Sequence, residues 1–180
     1  MAESFVNSVT RAAGIVTTST AGAIGITTNL ITGISTVSVT VGDLIQNTNY
    51  IAGTKVASVV STSSVTADRD STNTTAVSSQ TVKYLGLTTA YTSASGTKSI
   101  IIGGTFANNT TSEVELTVHL YDDSADLTPA IISKVPVPNG SSFVLSDTGK
   151  TVLEGLDAIR VYCDTANGVD VQLGILKGVS

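Results

Sequence analysis

His119 is the only histidine in the chain and Cys163 the only cysteine, so general-base or thiolate chemistry near neutral pH has to run through one of these two. His119 sits between Glu115 and Tyr121 in a stretch where every second residue is apolar. That spacing places it on the polar face of a strand, away from any loop nucleophile, and a surface histidine is expected. Cys163 alternates with Ile159 and Val161 and is expected to point inward as a small hydrophobe with no electropositive neighbour to activate it. One cysteine cannot close an internal disulfide, and one His with one Cys falls short of a zinc site. The triplet Asp147-Thr148-Gly149 matches the active-site triplet of aspartic proteases, where two such carboxylates share a proton. A single copy would need a homodimer, and the same residues suit a type I turn between two strands, which is the expectation. Asp122, Asp123 and Asp126 crowd one loop but lack the glycine and distal glutamate of a calcium loop, so a solvated turn is expected. Gly103-Gly104 lies inside an apolar run, not before a helix, and no Gly-Lys-Ser/Thr follows, so it predicts a bulge or a close backbone contact rather than a phosphate loop. No catalytic, cofactor-binding or metal-binding residue is expected, and the chain reads as non-enzymatic.

The elements that carry these residues are set by an unusual composition. The 180 residues are 41% apolar but only 13% charged and 4% aromatic, with a mean hydropathy of +0.31, against roughly a quarter charged in an ordinary soluble domain. Thr, Ser, Val, Ile and Ala make up the difference. Nine Lys and Arg against fourteen Asp and Glu leave a net charge of −5, which argues against a phosphate-tracking face and so against nucleic acid as a partner. The long uncharged stretch from Ala12 to Gly42 is interrupted by Thr17, Thr18, Ser19, Thr20, Gly22 and Gly25 among others, too often for a membrane span. The first residues, with Glu3 and no basic cluster, do not read as a signal peptide. Synthesis in a cytoplasm is expected.

β-Branched residues dominate and an apolar 3.6-residue period is nearly absent, so the fold class expected is all-β. Ser4 to Ala13 fits either a short helix, with Phe5 and Val9 on one side, or an extended arm. Three regions are expected: an N-terminal arm over residues 1–23, a small β module over 24–79 with its boundary near Ser79, and an antiparallel β-sandwich of immunoglobulin-like or jelly-roll type over 80–180. In the module, Val37, Val39 and Val41 alternate with Ser38 and Thr40 as a strand, and Gly42-Asp43 turns the chain. In the sandwich, Val114, Leu116, Val118 and Leu120 point one way and Glu113, Glu115, Thr117, His119 and Tyr121 the other, the period of a sheet with one wet face. Pro136 and Pro138 place their strand at an edge. Ile159, Val161 and Cys163, then Asn167-Gly168, then Val169, Val171, Leu173 and Ile175 read as a hairpin.

Two segments also resemble known proteins. VGDLIQNTNYIAGTKVASVVSTSSVTADRDST, from Val41 to Thr72, is similar to a small β module of virion and tail-appendage proteins of tailed bacteriophages. Gly42-Asp43, Ile51, Gly53-Thr54-Lys55-Val56 and Val65-Thr66 hold that module's places, and Ala67-Asp68-Arg69-Asp70 departs from it, where an apolar residue and a Ser are usual. From Ser99 to Leu176 the chain, through FANNTTSEVELTVHLYDDSADLTPAIISKVPVPNGSSFVL and GKTVLEGLDAIRVYCDTANGVDVQLGIL, resembles the β-sandwich of small accessory structural proteins of marine, cyanophage-like phages. The resemblance implies a structural subunit of a virion, made in the host cytoplasm, whose partners are further copies of itself, with a trimer suggested, and other virion proteins such as the major capsid, neck or tail proteins. No cofactor is implied. The arm is then expected to pair with a neighbouring subunit, and its removal to leave the sandwich folded. The alternative is a receptor- or carbohydrate-contacting module of a tail fibre or tail tip, for which Tyr50, Tyr91 and Tyr121 are the stacking candidates in a chain without Trp.

Overall fold

The computed structural model describes residues 3–145 and 150–179, and among them every regular element is a strand. In chain order these are β1 (Ser4–Ala13), β2 (Ile15–Ile24), β3 (Leu30–Thr32), β4 (Leu44–Gln46), β5 (Val56–Ser61), β6 (Ser64–Ala67), β7 (Val77–Gly86) and β8 (Thr88–Thr92). They continue with β9 (Lys98–Asn108), β10 (Val114–Tyr121), β11 (Ala130–Val137), β12 (Ser142–Leu145), β13 (Thr151–Leu153), β14 (Ala158–Cys163) and β15 (Val169–Val179). All named pairings are antiparallel. The all-β expectation holds, and the helix alternative for Ser4 to Ala13 gives way to a strand.

The compact units divide elsewhere than the sequence pattern suggests. One comprises Met1–Gly14 with Thr88–Ser180, the other Ile15–Leu87. The segment 1–23, expected to be an arm that pairs with a neighbouring subunit, is split between them: β1 runs along β15 of its own chain, from Ser4 opposite Lys177 to Ala13 opposite Val169, and β2 pairs with β7 and β3. The expected boundary at Ser79 falls inside β7, whose Val82 and Tyr84 are buried in the core of the smaller unit. Alternation marks a strand without saying which sheet it joins, so this assignment was out of reach of the pattern.

The larger unit is a sandwich of two sheets, ordered β1-β15-β9-β12, with β13 also on β9, and β11-β10-β14-β8. Counted within the unit, with β12 and β13 sharing the sixth place, the orders are 1-8-3-6 and 5-4-7-2, which is a jelly roll. Ile101, Phe106, Leu173 and Ile175 from one sheet meet Leu116, Val118, Ile159 and Val161 from the other in one continuous core. β14 and β15 therefore lie in different sheets, and the expected hairpin is a corner: both present alternate apolar residues because they face each other across the core, a pattern identical to that of in-plane neighbours. Asn167 makes the corner with a φ of 57°. β11 is an edge strand, as Pro136 requires.

The smaller unit is one six-stranded sheet, β4-β7-β2-β3-β6-β5. It curls until its end strands meet at an isolated bridge between Leu44 and Lys55 and stops short of a closed barrel. Ile24, Ile31, Val56, Val65, Val82 and Tyr84 fill its concave side. Residues 37–41 form turns, not the expected strand: the Asp43 carboxylate accepts the Thr40 amide at 2.9 Å and its hydroxyl at 2.8 Å, so the chain folds back on itself. Only Val39 of the three valines is buried.

Candidate functional site

The residues expected to be chemically capable are dispersed. His119 is on β10 opposite Arg160 of β14, and Leu116 of the same strand is opposite Cys163. Cys163 points into the core with Leu116 and Val118, fully buried as expected. His119 points to the other face of that sheet, so the two cannot form a nucleophile and base pair. The surface histidine expected from the pattern is corrected: His119 is 2% exposed and Thr117 is also buried. The second face of this sheet carries a packed layer of its own. The His119 ring lies 5.1 Å from that of Tyr162, and the Thr117 hydroxyl accepts the amide of Lys134 at 3.0 Å. Beside them the Arg160 guanidinium sits 3.6 Å over the Tyr121 ring, a cation–π contact. A two-residue period reports one apolar face and is silent on whether the other meets water.

The acidic loop is a set of turns held by its own carboxylates. Asp122 accepts the Ser124 hydroxyl at 2.8 Å and the Ala125 amide at 3.0 Å, bonds that hold its pKa below the ordinary carboxylate range. Asp157, absent from the sequence reading, is the better buried partner, accepting the amides of Asp123 and Glu154. No three His, Cys, Asp or Glu side chains converge as a metal site among the described residues. The Asp147-Thr148-Gly149 turn lies outside the described residues.

Of the three tyrosines considered for stacking on a sugar, Tyr50 and Tyr91 are buried, and one face of Tyr121 is covered by Arg160. The Tyr50 hydroxyl donates to the Thr28 carbonyl at 3.1 Å, and its pKa is pushed up to about 12, first by burial and then by the charge of Asp70. Tyr91 shares a buried hydroxyl network with Ser99 and Ser93.

What the jelly roll does present is a sheet face. Around Gly103 and Gly104 the structure meets the expectation of a bulge and a close approach. Gly174 pairs with Gly103 but Ile175 pairs with Ile101, leaving Ile102 as the extra residue. A Cβ on Gly104 would lie 2.6 Å from Leu173 Cδ2. On the outer side of the same sheet a groove of about 420 Å³ runs over Gly103 and Gly174, with Phe5, Asn7, Ile102 and Gln172 among its walls. Phe5 is 76% exposed there, and Val9, Val144 and Val152 of the same sheet are also exposed.

Comparison with known protein families, curated proteins and solved structures finds no match for this chain.

Proposed function

We propose that this protein is a non-enzymatic structural subunit of a tailed-phage virion, a capsid decoration or cement protein or a neck or tail accessory protein, that assembles as a homo-oligomer on the particle. The observation that carries this reading is the jelly-roll strand order of the larger unit, an architecture that capsid proteins use. Two further observations support it. The chain resembles phage appendage modules over Val41 to Thr72, and one sheet of the larger unit keeps the large apolar side chains of Phe5, Val9, Val144 and Val152 in contact with water, the mark of a surface that meets another protein. Contact chemistry, not turnover, is then the function.

Jelly rolls also serve as lectins. Sugar binding calls for open aromatic faces, and the positions of Tyr50, Tyr91 and Tyr121 do not favour it. The test is add-back: purified protein mixed with particles assembled without it should bind saturably and at a fixed ratio to a major virion protein, and failure to bind would overturn the proposal.

A further inference from the structure

We propose that the outer face of the β1-β15-β9-β12 sheet is a self-association surface on which a second copy of this chain docks face to face. The register lays three rows across that face. Phe5, Leu176, Ile100 and Val152 are cross-strand neighbours in the first. Asn7, Gly174 and Gly103 follow in the second. Val9, Gln172, Thr105 and Val144 make the third. Two ridges with apolar side chains thus flank a trough whose floor is two glycines.

Neither glycine is demanded by backbone conformation or by crowding among the described residues. Neither has a positive φ, and a Cβ would come no closer than 3.5 Å to any described atom at Gly103 or 3.8 Å at Gly174. Glycine weakens a strand by about 0.5–1 kcal/mol relative to Ala, so the trough costs the sheet stability that alanine at either position would restore. A ridge from another molecule would use it. Phe5 stands beside the trough, and in a two-fold contact each copy's Phe5 ridge enters the other's trough, a self-complementary pairing of knob and groove on one surface.

Charge and area point to the same occupant. Among the described residues the three rows hold no charged side chain; Lys98 lies beyond the first row and Arg11 and Asp170 beyond the third. An uncharged face meets its own copy without the like-charge repulsion that two-fold symmetry imposes on a charged one. β9 and β15 are each 11 residues long, about 36 Å at the usual rise, and four strands span about 19 Å. The whole outer face, charged ends included, is therefore about 700 Å², of which the three rows make up about half, and two copies in full overlap would bury about 1,400 Å², within the roughly 1,200–2,000 Å² of specific interfaces.

This inference deepens the subunit reading above and rests on it for the choice of a second copy as partner. The experiment is sedimentation equilibrium with light scattering on the full chain and on Phe5→Asp, Gly174→Val and, as a control in the other unit, Val37→Ser. The wild type should associate, Phe5→Asp and Gly174→Val should weaken association at least tenfold without changing the far-ultraviolet spectrum, and Val37→Ser should behave as wild type. A wild type that stays monomeric throughout overturns the proposal and leaves assembly on the particle to the add-back test. Association unchanged in both face variants overturns the face alone and leaves the virion role to the add-back test.

Discussion

Gly103 and Gly104 are neighbours in sequence, and replacing each by alanine should move stability in opposite directions. Successive strand residues point to opposite faces, so the added methyl goes into the core at Gly104 and into the trough at Gly103. At Gly104 it would sit 2.6 Å from Leu173 Cδ2 and 3.3 Å from the Gln172 carbonyl oxygen. Leu173 is fully buried and can yield only by displacing its own neighbours, which costs about 1–3 kcal/mol in a packed core. At Gly103 the nearest atom is 3.5 Å away, and the loss of glycine's excess freedom in the unfolded chain should stabilise by about 0.4–1 kcal/mol. At roughly 4–8 °C per kcal/mol for a domain of this size, Gly104→Ala should lower the jelly-roll melting transition by at least about 4 °C and Gly103→Ala should raise it by a few degrees. Thermal melts followed by circular dichroism at low protein concentration, where association adds nothing, read both. Equal shifts, or a more stable Gly104→Ala, would refute the inward and outward assignment of this strand.

The tyrosines of the smaller unit give a second pair. The Tyr84 hydroxyl is buried without a hydrogen-bond partner, so Tyr84→Phe should be neutral or stabilising by about 1 kcal/mol in urea titration, whereas Tyr50→Phe loses the bond to Thr28 and should cost about 1 kcal/mol. Burial raises the pKa of both, so the unfolded chain releases these protons first as the pH rises. The stability they confer is present in full below pH 10 and should fall between pH 10 and about 12 for Tyr50, by up to about 1.4 kcal/mol per pH unit from each tyrosine. A flat alkaline profile for the smaller unit would contradict this. Removing residues 1–14 deletes a full strand of the jelly roll and strips Ala90 of the Ser8 hydroxyl bond, so the truncated chain should lose the jelly-roll transition and become sensitive to protease. A truncated protein with that transition intact would restore the reading of an arm that serves a neighbouring subunit.

Legibility in the sequence followed the range of the interactions. Strands and turns set by neighbouring residues were readable: β10 from its alternation, the bulge at Gly103-Gly104 from glycines in an apolar run, the edge position of β11 from Pro136. Features set by distant partners were not. Phe5 and Val9, four residues apart, share a face in a helix and in a strand alike, and only the pairing of β1 with β15, across nearly the whole chain, decides between them. The alternation of Val37, Val39 and Val41 passed for a strand because the competing Asp43–Thr40 hydrogen bonds are invisible to a period count. The burial of His119 is invisible to the same count, because one apolar face does not imply that the other is wet. The outer sheet surface was the least legible, since its first row draws on positions 5, 176, 100 and 152, and register alone brings them together.

Protein quantification in gradient-purified phage particles tests the proposed virion role most directly. The protein should cosediment with infectious particles at a fixed, reproducible ratio to the major capsid or tail protein and stay bound through repeated gradients. Its absence from such particles, while abundant in the lysate, would contradict it.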